Sequence, residues 1–568
     1  MYTASYNLWC ENATADPDLI SELKAIKNDI DAISDRFYRE LEFGTAGLRG
    51  IIGAGTNRMN IYTVGKATQA LAGYVKSVSE KPSVAIAYDS RIKSTLFAET
   101  AARILAGNGV KVYIYSELMP TPMLSFAVRE LKCDAGIVIT ASHNPSQYNG
   151  YKAYGPDGCQ LSPEASKYIL SLMEKINCFT DIKYADFNVA IKDNSIEYIG
   201  QDLIDAYINE VEKQSVCRGD LDLSALKVIY TPLHGTGNKP VRAILERIGV
   251  KNVTVVPEQE LPDGNFPTAP YPNPEIRQPF ELALALAKTH DADLLLATDP
   301  DADRVGIAVK NDDDFTLLSG NDVGALLLNY VLECRTNNGT LPKNPIAVKT
   351  IVTTEICQKI ADYYGCELKN VLTGFKFIGE QIALLEDKNE VNRYIFGFEE
   401  SYGYLPGSYV RDKDAVVASM LICEMAAYYK SKGLTILQQL DNLYKQHGYY
   451  FNAQKSLAFE GQSGMIAMQK LMNSLRENPP KKISGIPVAL LQDYQTSIST
   501  DIASGTTTKI TLPKSNVISF VLTDGSKVIF RPSGTEPKIK IYIMAVGESG
   551  DACSQKMEKL LIDAQNLA

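Results

Sequence analysis

Leu19, Ile20, Leu23, Ile26, Ile30, Ile33 and Phe37 recur three or four residues apart. That is the spacing of one apolar helix face, and it predicts an amphipathic helix over 18–41 packed on the body of the protein. Beyond it, short β-branched runs alternate with helical patterns. SVAIAYDS, VKVYIYS, AGIVITAS, LKVIYTP, VTVVP, DLLLATD, IAVKTIVTT and RYIFGFEES read as strands, with helices such as 94–106 and 240–248 between them. This alternation predicts α/β layers with largely parallel sheets. Several strands run straight into polar loops, and in such sheets chemistry collects at the carboxyl ends of the strands. The tail differs. Residues 516–546 read as strand, Asp-Gly turn, strand, loop and strand before a last helix, an α+β module beginning near 440.

Composition narrows the class without changing this picture. The chain has 568 residues, 45% hydrophobic and 22% charged, a length for about four domains. The amino terminus lacks the basic and apolar regions of a signal peptide. The apolar run AVVASMLICEMAAYY from Ala415 is broken by Ser419 and Glu424 and reads as a buried helix, not a membrane span. Ten cysteines without a C-x-x-C pair read as reduced, mostly buried thiols of a cytoplasmic protein. A net charge of -10 disfavours nucleic acid. It also requires any anion site to carry its own local cations.

Four loops carry candidate chemistry. TASHNP places Ser142 and His143 after a strand, with Lys152 ten residues beyond the serine; alone it is an ordinary turn with a capping serine. DPDADR puts Asp299, Asp301 and Asp303 at i, i+2 and i+4, on one side of an extended segment. Three crowded carboxylates repel unless a cation joins them, and an all-oxygen set favours magnesium or calcium. A calcium loop needs Gly at its sixth position and Glu at its twelfth, where Arg304 and Lys310 stand, so magnesium is preferred. GFEESYG offers paired carboxylates suited to sugar hydroxyls, or to plain surface charge. RPSGTEPK combines arginine, hydroxyls, glycine and lysine as a phosphate cradle. Walker, dinucleotide and hydrolase-elbow patterns are absent.

Together, FGTAGLRG, TASHNP, TPLHGTG, DPDADR, TGFKFIG, GFEESYG and RPSGTEPK stand in the order of one family. The chain resembles the phosphoglucomutase/phosphomannomutase members of the α-D-phosphohexomutase superfamily from about residue 43 to the C-terminal region. The resemblance implies three related α/β mixed-sheet domains and a smaller C-terminal α+β domain around a central active-site cleft. The expected divisions are a helical extension (1–42) and domains over 43–195, 196–315, 316–440 and 441–568. It implies that Ser142 carries a phosphoryl group, and that Ser142, Asp299, Asp301 and Asp303 hold one Mg2+. Arg49 and Arg304 would face the reacting phosphate, with Lys152, ahead of His143, as general base. Gly374, Lys376, Glu399, Ser401 and Lys413 would meet the sugar. Arg531, Ser533, Gly534, Thr535 and Lys538 would grip the phosphate that is not transferred.

The implied reaction is interconversion of glucose 1-phosphate and glucose 6-phosphate through glucose 1,6-bisphosphate. Mannose or pentose phosphates, or sugar-phosphate binding without catalysis, are the alternatives. The expected partner is a small sugar phosphate, with neither nucleic acid nor membrane. The subunit number stays open between monomer and dimer.

Overall fold

The structure, a computed structural model, describes residues 2–44, 47–217, 221–459, 461–533 and 538–568. The helix expected over 18–41 is two helices, Pro17–Ala25 and Ile30–Phe37. The break has a local cause: Asp29 adopts an extended conformation and its carboxylate accepts from Ala32 N at 2.9 Å, capping a new helix. Leu19, Leu23, Ile26, Ile33 and Phe37 are buried as their spacing predicts, but Ile30, at the restart, is exposed. A further helix, Tyr2–Asn12, brings Trp9 edge-on to Phe37, Tyr62 and Phe179.

The chain divides into two compact units. The first comprises Met1–Leu318, Gly379–Val391 and Tyr402–Ser431; the second comprises Ser319–Ile378, Asn392–Ser401 and Lys432–Ala568. The first unit contains two mixed sheets. In one the strand order is Gly47–Ile51, Tyr148–Tyr154, Ala135–Ile139, Ser83–Tyr88, Lys111–Tyr115 and Ile196–Ile199. The last four are parallel, and Tyr148–Tyr154 runs antiparallel between Gly47–Ile51 and Ala135–Ile139. Register matters here, because Lys152 pairs with Val138 on one side and Gly47 on the other. The second sheet has the order Asp314–Leu317, Val305–Asn311, Leu294–Thr298, Lys227–Thr231 and Asn252–Val255, with the last three parallel. Fully buried Leu295, Leu296 and Ala297 make Leu294–Thr298 a central strand, buried on both faces. The Ala415–Ser431 helix is buried as expected, with Glu424 inside accepting from Ser215 Oγ. Its first residue, Ala415, donates to Ala302 O at 3.1 Å.

In the second unit, Ile346–Thr350 lies parallel between Glu367–Val371 and Tyr394–Glu399. The tail forms the expected antiparallel module, with strands Ile518–Leu522, Lys527–Pro532 and Lys538–Gly547 before a helix, Gly550–Asn566. Gly525 of the Asp-Gly turn takes φ +86°, which a side chain would strain.

Eight of the ten cysteines are free thiols, six of them buried; Cys217 and Cys334 are not among the eight. Among the described residues no helix is long and apolar enough to cross a membrane.

Candidate active site

Two strands of the first unit, Ala135–Ile139 and Leu294–Thr298, end in the loops that build the site. After the first, Ser142 takes φ +51°, and its N–H donates to Thr140 Oγ1 at 2.8 Å. A serine in the left-handed region needs its surroundings to hold it there. Arg91 does so: its guanidinium donates to the carbonyls of Ser142 (2.5 Å), Pro145 (2.9 Å), Tyr148 (3.0 Å) and Asn144. Arg91 is buried, lies 3.3 Å from Asp89 and stacks 5.0 Å from the Phe266 ring centre. Burial raises the Asp89 carboxyl while Arg91 opposes the rise. The pair was missed in the sequence. Its only signal was Asp-Ser-Arg directly after a strand, and nothing there reveals that the arginine reaches four carbonyls more than 50 residues away.

The carboxylates of Asp299, Asp301 and Asp303 converge, with one oxygen from each lying within 4.8 Å of the others. They do so on a tight turn and not on the extended segment expected. Ala302 takes φ +47° and donates to Asp299 O at 2.9 Å, while Asp299 Oδ1 accepts from the N–H groups of Asp303 (3.1 Å) and Arg304 (3.0 Å). Ser142 Oγ donates to Asp299 Oδ2 at 2.8 Å. Asp301 Oδ2 accepts from Lys152 Nζ at 2.8 Å and Thr121 Oγ1 at 2.9 Å. Asp301 Oδ1 and Asp303 Oδ1 are buried without a hydrogen-bond donor. Orphaned carboxylate oxygens are costly to bury, and a hard cation is the group that would satisfy them. The residues therefore fit a divalent ion with oxygen ligands. Burial, with Asp301 and Asp303 beside it, holds the Asp299 carboxyl well above the usual range, whereas Lys152 keeps Asp301 low despite burial.

The remaining expected residues of this unit lie about the triplet and the Ser142 loop. Lys152 lies 3.7 Å from Asp303 as well. His143 Nδ1 lies 3.2 Å from Ser142 Oγ; burial, with Arg304 and Arg49 beside it, holds the imidazole well below its ordinary value and hence neutral. Arg49 Nη1 donates to Asn144 at 3.3 Å, and Arg304 is salt-bridged to Glu275 at 2.5 Å. Lys413, expected at the sugar, reaches Asp303 at 3.2 Å and Asp412 at 2.9 Å. Its neighbours are anchors: Arg411 is buried against Glu386 at 2.6 Å, Asp412 accepts from Tyr154 OH at 2.7 Å, and Asp414 caps the helix it precedes. His234 is held by Leu261 O at 3.1 Å and Thr268 Oγ1 at 2.9 Å, as a structural histidine would be.

The second unit carries the other residues. Glu399 ends its strand and accepts from Gly374 N at 2.8 Å, with Gly374 at φ +116°. Lys376 Nζ lies 5.1 Å from the Phe377 ring centre, and Ser401 is half-buried. Arg531 Nη1 donates to Tyr542 OH at 3.3 Å, and Ser533 N donates to Lys538 O at 2.8 Å. Gly534 and Thr535 lie outside the described residues.

Residues 40–178, 205–312 and 319–447 match, in turn, α/β/α domains I, II and III of phosphoglucomutase/phosphomannomutase. The chain belongs to that family. The phosphoglucomutase of Staphylococcus aureus strain MSSA476 is 38% identical over 561 residues, 98% of this chain and 99% of that protein. That of Staphylococcus saprophyticus is 38% identical over 523 residues, 92% of this chain and 93% of that protein. Two solved family structures share the fold. The putative phosphomannomutase of Thermus thermophilus has TM-score 0.68 and 23% identity, covering 93% of this chain and 99% of that one. The open form of Paramecium pp63/parafusin, a phosphoglucomutase, has TM-score 0.69 and 18% identity, covering 93% and 96%.

Proposed function

We propose that this family member is a phosphoglucomutase, an isomerase that interconverts glucose 1-phosphate and glucose 6-phosphate. The supporting observation is Ser142 Oγ, 2.8 Å from Asp299 within a carboxylate triplet that carries two orphaned oxygens. In this reading Ser142 carries the phosphoryl group. Asp299, Asp301, Asp303 and the phosphoserine hold Mg2+, which supplies Lewis-acid polarisation of the phosphoryl oxygens.

The chain's own residues do the rest. A phosphoserine adds roughly -1.5 to -2 charge beside three aspartates, and Lys152, Lys413, Arg49 and Arg304 offset it. The P–O bond to Ser142 breaks as a P–O bond to the sugar 6-hydroxyl forms. His143, neutral and 3.2 Å from Oγ, takes the proton of the attacking hydroxyl and delivers it to the departing oxygen, from the 6-hydroxyl to Oγ in the first transfer and from Oγ to the sugar 1-oxygen in the second. Lys152, held on Asp301, acts as an electrostatic clamp in this reading. The 1,6-bisphosphate turns over, and its 1-phosphoryl group passes back to Ser142.

Glu399 and Ser401, with Gly374 and Lys376, would bind the sugar hydroxyls. Arg531, Ser533 and Lys538, with Gly534 and Thr535, would hold the distal phosphate. We divide the chain into the helical extension and four domains of the sequence reading, moving the first inner boundary past Ile199, because Ile196–Ile199 is an edge strand of the first sheet. We place the protein in the cytoplasm.

Glucose 1-phosphate, Mg2+ and a trace of bisphosphate should yield glucose 6-phosphate, and Ser142→Ala should abolish it. No product from the intact chain, undiminished turnover by the variant, or phosphate release faster than isomerisation would overturn the proposal. Relative kcat/KM for glucose, mannose and ribose 1-phosphates ranks the sugars.

A further inference from the structure

Beside Glu399 in the second unit stands Glu400, a carboxylate the reaction above does not use. Thr350 and Thr353, both fully buried, have hydroxyls 2.7 Å apart; each lies near Glu400 Oε2, at 3.3 and 3.4 Å. Their turn is braced from behind. Lys349 Nζ donates to Thr353 O at 3.0 Å and to Glu355 at 3.1 Å, and Glu355 also accepts from Lys527 at 2.8 Å. Glu400 is thus half-buried against the threonine turn.

Arg531 and Lys540 are direct partners across the antiparallel ladder. Like charges directly opposite one another repel and call for an anion between or near them. Ile529, Tyr542 and Met544 pack with Ile351, Val352 and Leu372, which fixes the arginine strand against the threonine turn. The charged groups that bear on Glu400 are Glu399 from its own strand and Lys540 and Arg531 from the facing sheet. Burial and Glu399 push its carboxyl up to about 7 against the pull of the two cations. Tyr542 is pushed up by burial and stays protonated in this range.

We infer that Glu400 is a positioning residue for phosphate recognition, standing as counter-charge to Arg531 and Lys540 until a substrate phosphate arrives and then taking up a proton from bulk solvent. The inference rests on the proposal that the Arg531 loop grips the distal phosphate.

The sign follows from the charges. A dianion at Arg531 and Lys540 removes their pull on Glu400 and adds repulsion, so the bound-state carboxyl titrates above the free one. Binding then takes up protons between the two values, and affinity falls as pH rises through that window. A difference of one pH unit between them is about tenfold in affinity. The second ionisation of the phosphate itself, near pH 6, acts below the window and in the opposite direction.

The test is calorimetric titration of glucose 6-phosphate into the full chain carrying Ser142→Ala, which blocks turnover. It is run with Mg2+ in two buffers of different ionisation enthalpy at several values between pH 7 and 8.5. The expected result is net proton uptake and a Kd weakening about fivefold across that range, within the tenfold per unit above. Glu400→Gln should show no uptake and a Kd flat within twofold, and Glu400→Asp should restore the uptake. The parent proton count needs no change at Glu400 and stands if Glu400→Gln folds poorly. Absence of uptake by the parent, or equal uptake by Glu400→Gln, overturns the inference while leaving the phosphate loop in place. Failure of the parent to bind at all overturns the phosphate-loop proposal as well.

Discussion

Replacing Arg91 with methionine tests whether the serine loop is held from behind. The guanidinium serves four carbonyls of the loop and neutralises Asp89, whose side chain is fully buried. Methionine keeps much of the volume and removes every donor. Removing one partner of a buried ion pair costs about 3–5 kcal/mol; the freed carbonyls add to this, and loop relaxation takes some of it back. We therefore expect a loss of about 4 kcal/mol. A domain of 150–250 residues loses about 2–4 °C of Tm per kcal/mol, and a larger cooperative unit less, so calorimetry should show a fall of roughly 5–10 °C. Ser142, released from φ +51°, should drift by about 1 Å, enough to lower kcat about 100-fold in a coupled glucose 6-phosphate assay. Arg91→Lys, which keeps a charge beside Asp89 but not the fork, should recover stability more than activity. A methionine variant that melts within 2 °C of the parent (under roughly 1 kcal/mol) and turns over within a factor of two would mean that the serine loop does not depend on Arg91.

Three further outcomes are expected. A Cβ on Gly403 would stand 2.0 Å from Lys413 Cδ, so Gly403→Ala should push Lys413 off Asp303 and lower kcat about tenfold, equivalent to 1.4 kcal/mol; unchanged kcat would contradict that role for Lys413. Mg2+ at about 100 times its Kd should raise stability by about 2.7 kcal/mol in thermal melts, and Asp303→Asn should remove the rise; an equal rise in the variant would place the ion elsewhere. The Glu400 carboxyl is raised from 4.5 to about 7, so its contribution is present below about 4.5 and is lost as pH rises through about 7. Glu400→Gln should therefore gain on the parent between pH 5 and 8.5, by on the order of 2 kcal/mol after allowing for its contact with solvent; a difference that does not vary with pH would refute this.

The fold was legible where local pattern and tertiary outcome agree. Apolar runs such as DLLLAT became central strands, and the run from Ala415 became a buried helix. The amino-terminal helix was misread because apolar spacing continues through Asp29, whose capping side chain starts a second helix. The aspartates were legible as a cluster because three carboxylates in five residues have few other uses. Their turn was not, since Ala302 at φ +47° has no sequence mark. Arg91 and Thr121 were invisible for a related reason: each meets the site through contacts between loops that are 50 to 180 residues apart. Lys413 was noticed, but its pairing with Asp303 depends on the close approach that Gly403 permits.

The central claim is that Ser142 Oγ, set against the acidic triplet, accepts and releases phosphate. Intact-mass spectrometry with peptide mapping, after brief exposure to glucose 1,6-bisphosphate and Mg2+, addresses it most directly. One phosphate per chain should appear on Ser142, pass its isotopic label to glucose 6-phosphate at a rate matching turnover when glucose 1-phosphate is added, and be absent from Ser142→Ala. An active chain with no adduct, or with its phosphate on another residue, would contradict the account.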